Sequence, residues 1–207
     1  MKKKCLAVIF AAMMAFGVAA CGGAADEHEG HDHATEQNVE ETVDGEEETP
    51  AEAEEMITYL QQFPNLIEVD TAVAEGFYTI TADGVAGGQE NWDAFMAGEA
   101  ESVILCQYTA KGGAVLDYLT HRADGSYIIV SDSSRDGYTE EEKMGENYEV
   151  QEFAALKVFE DFSVQEGAQA YTIGVLTNEP GLDADTFRTY WNEGSTAAHQ
   201  AYLLYVI

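Results

Sequence analysis

The chain has 207 residues, of which 39 are Asp or Glu and only nine are Lys or Arg, so its formal net charge is −30 at pH 7. A charge this negative repels nucleic acids and anionic lipid surfaces, which excludes both as partners of the protein surface. With only three cysteines in the sequence, the chain is not a disulfide-rich scaffold, and a hydrophobic core must stabilise its folded part.

The first 20 residues have the pattern of an export signal. Lysines at positions 2–4 precede an apolar run, residues 6–18, which is short for a membrane span and ends in small residues. The Val-Ala-Ala-Cys string that ends at Cys21 resembles the lipobox of bacterial lipoproteins. That resemblance implies cleavage before Cys21, acylation of its sulfur with fatty acids such as palmitate, and anchoring in the lipid bilayer at the extracytoplasmic face of the cell membrane. An uncleaved transmembrane anchor, or an ordinary signal that happens to contain Cys21, is the alternative.

Residues 21–55 are predicted to be the lipidated Cys21 followed by a disordered tether. Residues 22–55 contain 14 Asp and Glu and no Lys or Arg, and so polar a segment buries too little apolar surface to order itself. Three imidazoles, those of His28, His31 and His33, stand among these carboxylates and predict weak binding of transition metals such as zinc, copper or nickel. The alternative is a solvated acidic spacer that happens to contain histidine.

Residues 56–207 are predicted to form a single extracytoplasmic domain, because aromatic and β-branched residues recur from there onward. Gly and Pro delimit its first elements, since they end helices. The predicted elements of this first part are a helix over 56–63, a helix over 67–75, a strand over 77–81, a glycine-rich loop over 82–88, a helix over 89–97 and a strand over 101–110.

The second part of the domain contains two hairpin signals and a capped helix. The sequence Ala-Asp-Gly at 123–125 is a hairpin turn signal, and Asp183 is the predicted N-cap of a helix. The predicted elements are strands over 114–122 and 126–132, a polar loop over 133–147, a hairpin of strands 153–162 and 170–177, a helix from 183 to 191, and a well-covered strand over 201–207. Hairpins and helices in this order predict an α+β fold, with a mainly antiparallel sheet of about six strands and helices packed on one face.

One stretch of the domain resembles a family. The motifs that carry the resemblance are, in order, NWDAF at 91–95, VILCQYT at 103–109, LDYL at 116–119, ADG at 123–125 and DSSRD at 132–136. This order is similar to that of domain of unknown function 4362, a lipoprotein domain with a helix, a strand ending in Y-T, a D-G hairpin and a D-x-x-R-D motif. The resemblance covers residues 68–177. It implies fold and location but no catalytic residues.

The D-x-x-R-D segment has two interpretations. Oxygen side chains at Asp132, Ser134 and Asp136, followed by glycine, are typical of the start of a calcium loop. However, Lys143 occupies the position where such a loop needs a bidentate Glu, and Arg135 lies among the ligands. The structural interpretation is that Asp132 and Asp136 cap backbone amides in a turn while Arg135 pairs with a neighbouring carboxylate.

No catalytic constellation is readable, and the chain is predicted not to be an enzyme. Cys106 lies in an apolar run and is predicted to be a buried hydrophobe, whereas His121 and His199 are predicted at surface positions. The leading hypothesis is a membrane-anchored, non-catalytic binding module for a cell-surface protein or wall ligand, without nucleic-acid partners. The alternative is a metal-handling lipoprotein that holds zinc or calcium weakly, and the weaker alternative is a hydrolase.

Overall fold

The computed structural model describes residues 49–139, 147–165 and 167–207, and places four helices and nine strands there. The unit that they form runs from Pro50 to Ile207. The helices are α1 (Ala51–Leu60), α2 (Val69–Ala74), α3 (Gln89–Met96) and α4 (Ala184–Glu193). The strands are β1 (Tyr78–Thr81), β2 (Gly84–Gly87), β3 (Ser102–Tyr108), β4 (Ala114–His121), β5 (Tyr127–Asp132), β6 (Tyr148–Phe153), β7 (Ala155–Phe162), β8 (Tyr171–Thr177) and β9 (Ala201–Val206).

The strands form two sheets. The larger has six strands in the order β2-β1-β3-β4-β5-β6, and the smaller has three in the order β7-β8-β9. Only the pairing of β1 with β3 is parallel, and all other neighbours are antiparallel. Strands β1 and β2 form a hairpin, and β3, β4 and β5 follow one another through short turns, as antiparallel pairing permits.

Each face of the six-stranded sheet is covered by its own hydrophobic core. On one face, Met56 and Leu60 of α1 pack with Ala72 of α2 against Leu116 and Val130 of the sheet. The opposite face packs against α3 and the three-stranded sheet. This second core includes Tyr78, Trp92, Phe95, Leu105, Leu119, Ile129, Leu176, Leu204 and Tyr205. Burial on both faces explains the apolar runs at the centres of β3 and β5, residues 103–106 and 128–130.

The α+β class and the mainly antiparallel sheet of six strands are confirmed. The helices, however, do not all lie on one face: α1 and α2 cover one side of the large sheet, whereas α3 belongs to the core on the other side. The rings of Trp191 and Phe187 of α4 pack at a tilt of 47°, and Phe187 contacts Phe162 of the small sheet. The three-stranded sheet therefore covers much of the second face of the large sheet, although helices were expected to cover only one face.

Several element boundaries differ from the sequence prediction. Helix α1 begins at Ala51, so residues 51–55, which were assigned to the tether, belong to the folded unit. The loop predicted over 82–88 contains the short strand β2. Strand β6 was not predicted and forms an edge of the large sheet next to β5.

Other local predictions are confirmed. Asp183 caps α4, with its side-chain oxygen accepting a hydrogen bond from the Thr186 amide at 2.8 Å. The predicted hairpin of β4 and β5 forms around Gly125, which has a positive φ of 89°. At the start of α3, Gly88 is also left-handed, and a Cβ there would overlap the carbonyl of Phe77. The described residues include no helix whose length and apolar character would let it cross a membrane.

Candidate functional site

The D-x-x-R-D segment follows β5 and is buried. Asp132 is 0% exposed, and its Oδ1 accepts hydrogen bonds from the Ser134 amide at 3.0 Å and from the Ser134 hydroxyl at 2.6 Å. Its Oδ2 pairs with Nη1 of Arg135. Both carboxylate oxygens of Asp132 are therefore engaged within the turn.

Arg135 ties this turn to the end of α1. Its Nε donates to the carbonyl of Pro64 at 2.9 Å, and its Nη2 donates to those of Leu60 at 3.1 Å and Phe63 at 3.0 Å. The last carbonyls of a helix have no partner within the helix, so a guanidinium with five donors suits this position. The buried pair of Asp132 and Arg135 thus stabilises the α1 side of the fold.

Asp136 completes the turn. Its Oδ1 accepts hydrogen bonds from the amides of Tyr138 at 2.7 Å and Thr139 at 2.8 Å, and its carbonyl accepts one from the Thr109 hydroxyl at 2.7 Å. The loop between β3 and β4 lies so close to this turn that a Cβ on Gly113 would overlap the backbone of residues 135–137. The structural interpretation of this segment, with capped amides and a paired arginine, is confirmed.

These contacts engage both carboxylate oxygens of Asp132 and Oδ1 of Asp136. Across residues 49–139, 147–165 and 167–207, no group of three His, Cys, Asp or Glu side chains is placed to hold a metal ion. Lys143 lies outside the described residues, as do Cys21, His28, His31 and His33. Calcium at Asp132, Ser134 and Asp136 and zinc at the histidines stay predictions.

A second polar cluster, which sequence reasoning missed, lies in the core between the two sheets. Asp117 on β4 is 0% exposed. Its Oδ2 accepts a hydrogen bond of 2.8 Å from Nε2 of Gln107, and the same nitrogen donates to the carbonyl of Leu204 at 2.7 Å. The signal in the sequence was a carboxylate inside a strand that is apolar on both faces, since an unpaired buried charge is costly.

Burial changes the acidity of this cluster. Desolvation raises the pKa of Asp117 to about 6, against the influence of the neighbouring polar side chains of Ser131 and Gln107, which favour the ionised form. Burial also raises the pKa of Tyr202, and the nearby charge of Asp117 adds to that effect. The carboxyl is therefore the group in this cluster that changes charge between acid and neutral pH.

Cys106, His121 and His199, the cysteine and the two histidines of the described residues, lie in buried or stacked positions. Cys106 is fully buried as predicted, and burial raises the pKa of its thiol to about 12. His121 stacks on Tyr127 with ring centres 4.7 Å apart. His199 stacks on Tyr190 at 3.7 Å, with its Nδ1 3.4 Å from Oε1 of Glu179.

The solvent-facing side of α1 carries acidic and aromatic groups together. Glu54 and Glu55 line a shallow, open depression there with Thr58, Tyr59 and Gln62. The Tyr59 side chain is 40% exposed, and its ring is held edge-on by Tyr118 at 5.7 Å. We call this surface, defined by residues 54, 55, 58, 59 and 62, the α1 face.

The described residues have 23 Asp and Glu against five Lys and Arg. Four of the five cations are engaged. Arg135 pairs with Asp132, Arg122 with Glu52 and Glu152, and Arg188 with Asp185, while Lys111 lies 3.9 Å from the centre of the Tyr138 ring. Most of the surface potential is therefore set by carboxylates without a neighbouring cation.

Comparison of the chain with protein-family models, with curated proteins and with solved structures gives no match. The resemblance to domain of unknown function 4362 stays a prediction.

Proposed function

We propose that the chain is a lipoprotein anchored in the cell membrane through acylated Cys21, whose folded unit is a non-catalytic binding module on the extracytoplasmic face. The single observation that carries the anchoring is the sequence of the first 21 residues, with three lysines, a short apolar run and a Cys after small residues. Two acyl chains give stable membrane attachment where one gives only reversible binding.

The engagement of the potential catalytic groups supports binding over hydrolysis. A thiol with a pKa of about 12 stays protonated at neutral pH, and the thiolate is the nucleophilic form. The rings of His121 and His199 each stack on a tyrosine ring.

The charge of the folded unit indicates a cationic partner, such as a basic segment of a surface protein or a positively charged wall component. We assign the partner to the α1 face, because Glu54 and Glu55 attract a cation and the exposed ring of Tyr59 offers it a π face. Attraction of this kind raises association rates and weakens as salt screens it.

Binding of a short lysine oligomer tests the partner chemistry. We expect the full chain to bind it at low ionic strength, with affinity falling as salt rises. The double variant Glu54→Gln, Glu55→Gln should weaken binding more than the matched variant Glu90→Gln, Glu99→Gln, which removes the same charge from the α3 region. No binding at low salt, or equal losses in the two variants, would contradict the proposal.

Detergent phase separation tests the anchor. Cells expressing the full chain should yield protein in the detergent phase, and Cys21→Ser should move it to the aqueous phase or leave its signal uncleaved. Cys5→Ser is the matched control, because it changes a cysteine that the cleavage removes. Partition of the Cys21→Ser variant into detergent after cleavage would refute anchoring through this residue.

A further inference from the structure

On the face of the six-stranded sheet that packs on the three-stranded sheet, one row of residues changes from apolar to polar across the strands. This row, paired in register, runs through Tyr78, Leu105, Asp117, Ser131 and Glu149. Residues directly opposite each other in neighbouring strands point to the same face. Asp117 therefore lies where the aromatic and aliphatic part of this interface meets its polar part.

Asp117 is poorly compensated for a buried carboxyl. Its Oδ1 is enclosed and has no hydrogen-bond partner, and its Oδ2 receives only the Gln107 amide. Among the ion pairs of the described residues, none includes Asp117. An ionised carboxylate in such a place is destabilising unless water or a cation reaches it.

The same cluster joins the two sheets. The Gln107 amide that donates to Asp117 also donates to the Leu204 carbonyl of β9, so it bridges the large sheet and the small one. Water that solvated Oδ1 of Asp117 would contact the same carboxyl group to which this bridge is hydrogen-bonded. The charge of Asp117 and the docking of β9 are therefore linked by contact.

We propose that Asp117 is a pH-sensitive element that controls how tightly the three-stranded sheet docks on the six-stranded sheet. The neutral carboxyl favours the dry, docked interface. The ionised carboxylate favours an interface opened to water, so docking loosens as the pH rises from acid to neutral.

The charges around Asp117 also favour its neutral form over its ionised form. Glu149 of β6 adds a like charge that disfavours ionisation. Burial raises the pKa values of Cys106 on β3 and Tyr202 on β9, and these side chains stay neutral over the same pH range. Ser131 of β5 and Gln107 of β3 are uncharged, so no cation faces the carboxyl from the elements packed on it.

The direction of the pH effect follows from the linkage between protonation and folding. The pKa of Asp117 is raised from 3.8 to about 6 on folding, so the folded state holds the proton more tightly than the unfolded or opened state does. Stability from this group is full below about pH 4, falls as the pH rises through the window between these values, and is lost above about pH 6. A difference of about two pKa units corresponds to about 100-fold in the opening equilibrium.

Amide hydrogen exchange of the full chain, corrected for the intrinsic rate at each pH, tests the proposal. We expect protection of β8 and β9 to fall by up to about 100-fold between pH 4 and pH 7, with a smaller loss in β3 and β4. Asp117→Asn should keep its protection at both pH values, whereas Asp124→Asn, which alters an exposed turn carboxylate, should behave as the wild type.

A second measurement keeps the test decisive if Asp117→Asn does not fold. The carboxyl carbon shift of Asp117 in the wild-type chain should titrate with a midpoint near 6. A midpoint below about 5, equal loss of protection in the two sheets, or an unchanged pH dependence in Asp117→Asn would overturn the proposal.

Discussion

At the scale of single residues, Arg135 makes contacts that its neighbours in the sequence do not predict. It pairs with Asp132 three positions earlier, as the sequence predicts, but it also donates to three carbonyls at residues 60–64. The first contact is local and therefore readable from the motif. The others join segments more than 70 residues apart and depend on the packing of α1 against β5, which no local pattern encodes.

Replacing Arg135 should be among the more destabilising changes in the folded unit. Arg135→Ala leaves Asp132 as an unpaired buried charge, and we expect a loss of about 3–5 kcal/mol in the free energy of unfolding, measured by chemical denaturation. Arg188→Ala is the matched control, because its partner Asp185 is exposed and the pair is worth about 1 kcal/mol or less. Equal losses in the two variants would show that burial of the pair does not matter.

Calcium should leave the melting temperature unchanged at millimolar concentration. The oxygens of Asp132 already accept from Ser134 and pair with Arg135, so an ion would have to displace a buried guanidinium. A ligand that binds only the native state adds about 2.7 kcal/mol at 100 times its Kd, which thermal unfolding detects readily. A calcium-dependent rise that is lost in Asp132→Ala would reinstate the metal interpretation.

At the scale of elements, strands and helices with strong local signals were predictable. The Asp-Gly turn specifies the β4–β5 hairpin, and Asp183 specifies the start of α4. By contrast, α1 begins within a segment of alanines and glutamates, whose negative charge made it look like part of the disordered tether. Its helical character depends on Ala53, Met56 and Leu60 facing the core at helical spacing.

The division of the strands between two sheets was not predictable from pattern alone. Strand β9 pairs with β8 across the intervening α4, and β6 and β7 are separated by one residue yet belong to different sheets. Such partner choices are non-local. For the same reason the sequence did not place Asp117 in an interface, although a carboxylate in an apolar strand was visible.

The start of α1 sets where the folded unit can be cut. A chain of residues 50–207 should match the full chain in stability within about 0.5 kcal/mol. A chain of residues 56–207 lacks buried Ala53 and the contact of Glu52 with Arg122 at 2.8 Å, and it removes the first half of the helix. We expect it to lose more than about 2 kcal/mol in urea unfolding. Equal stability of the two truncated chains would show that α1 contributes little.

At the scale of the whole molecule, the proposed function depends on the charge of the chain and on the proposed attachment at Cys21. The chain has 39 acidic residues against nine basic ones, and three of those nine are the lysines of the first four residues. Cleavage before Cys21 would therefore leave the remaining protein more acidic still. An acidic unit held at a membrane surface suits capture of a cationic partner outside the cell, since the field around it steers such a partner inward.

Mass spectrometry of the protein purified from membranes tests the central claim most directly. The account predicts that the N-terminal peptide begins at Cys21 and carries the mass of a diacylglyceryl group on its sulfur, with residues 1–20 absent. An N-terminal peptide that retains residues 1–20, or one that begins at another position with Cys21 unmodified, would contradict anchoring through this cysteine.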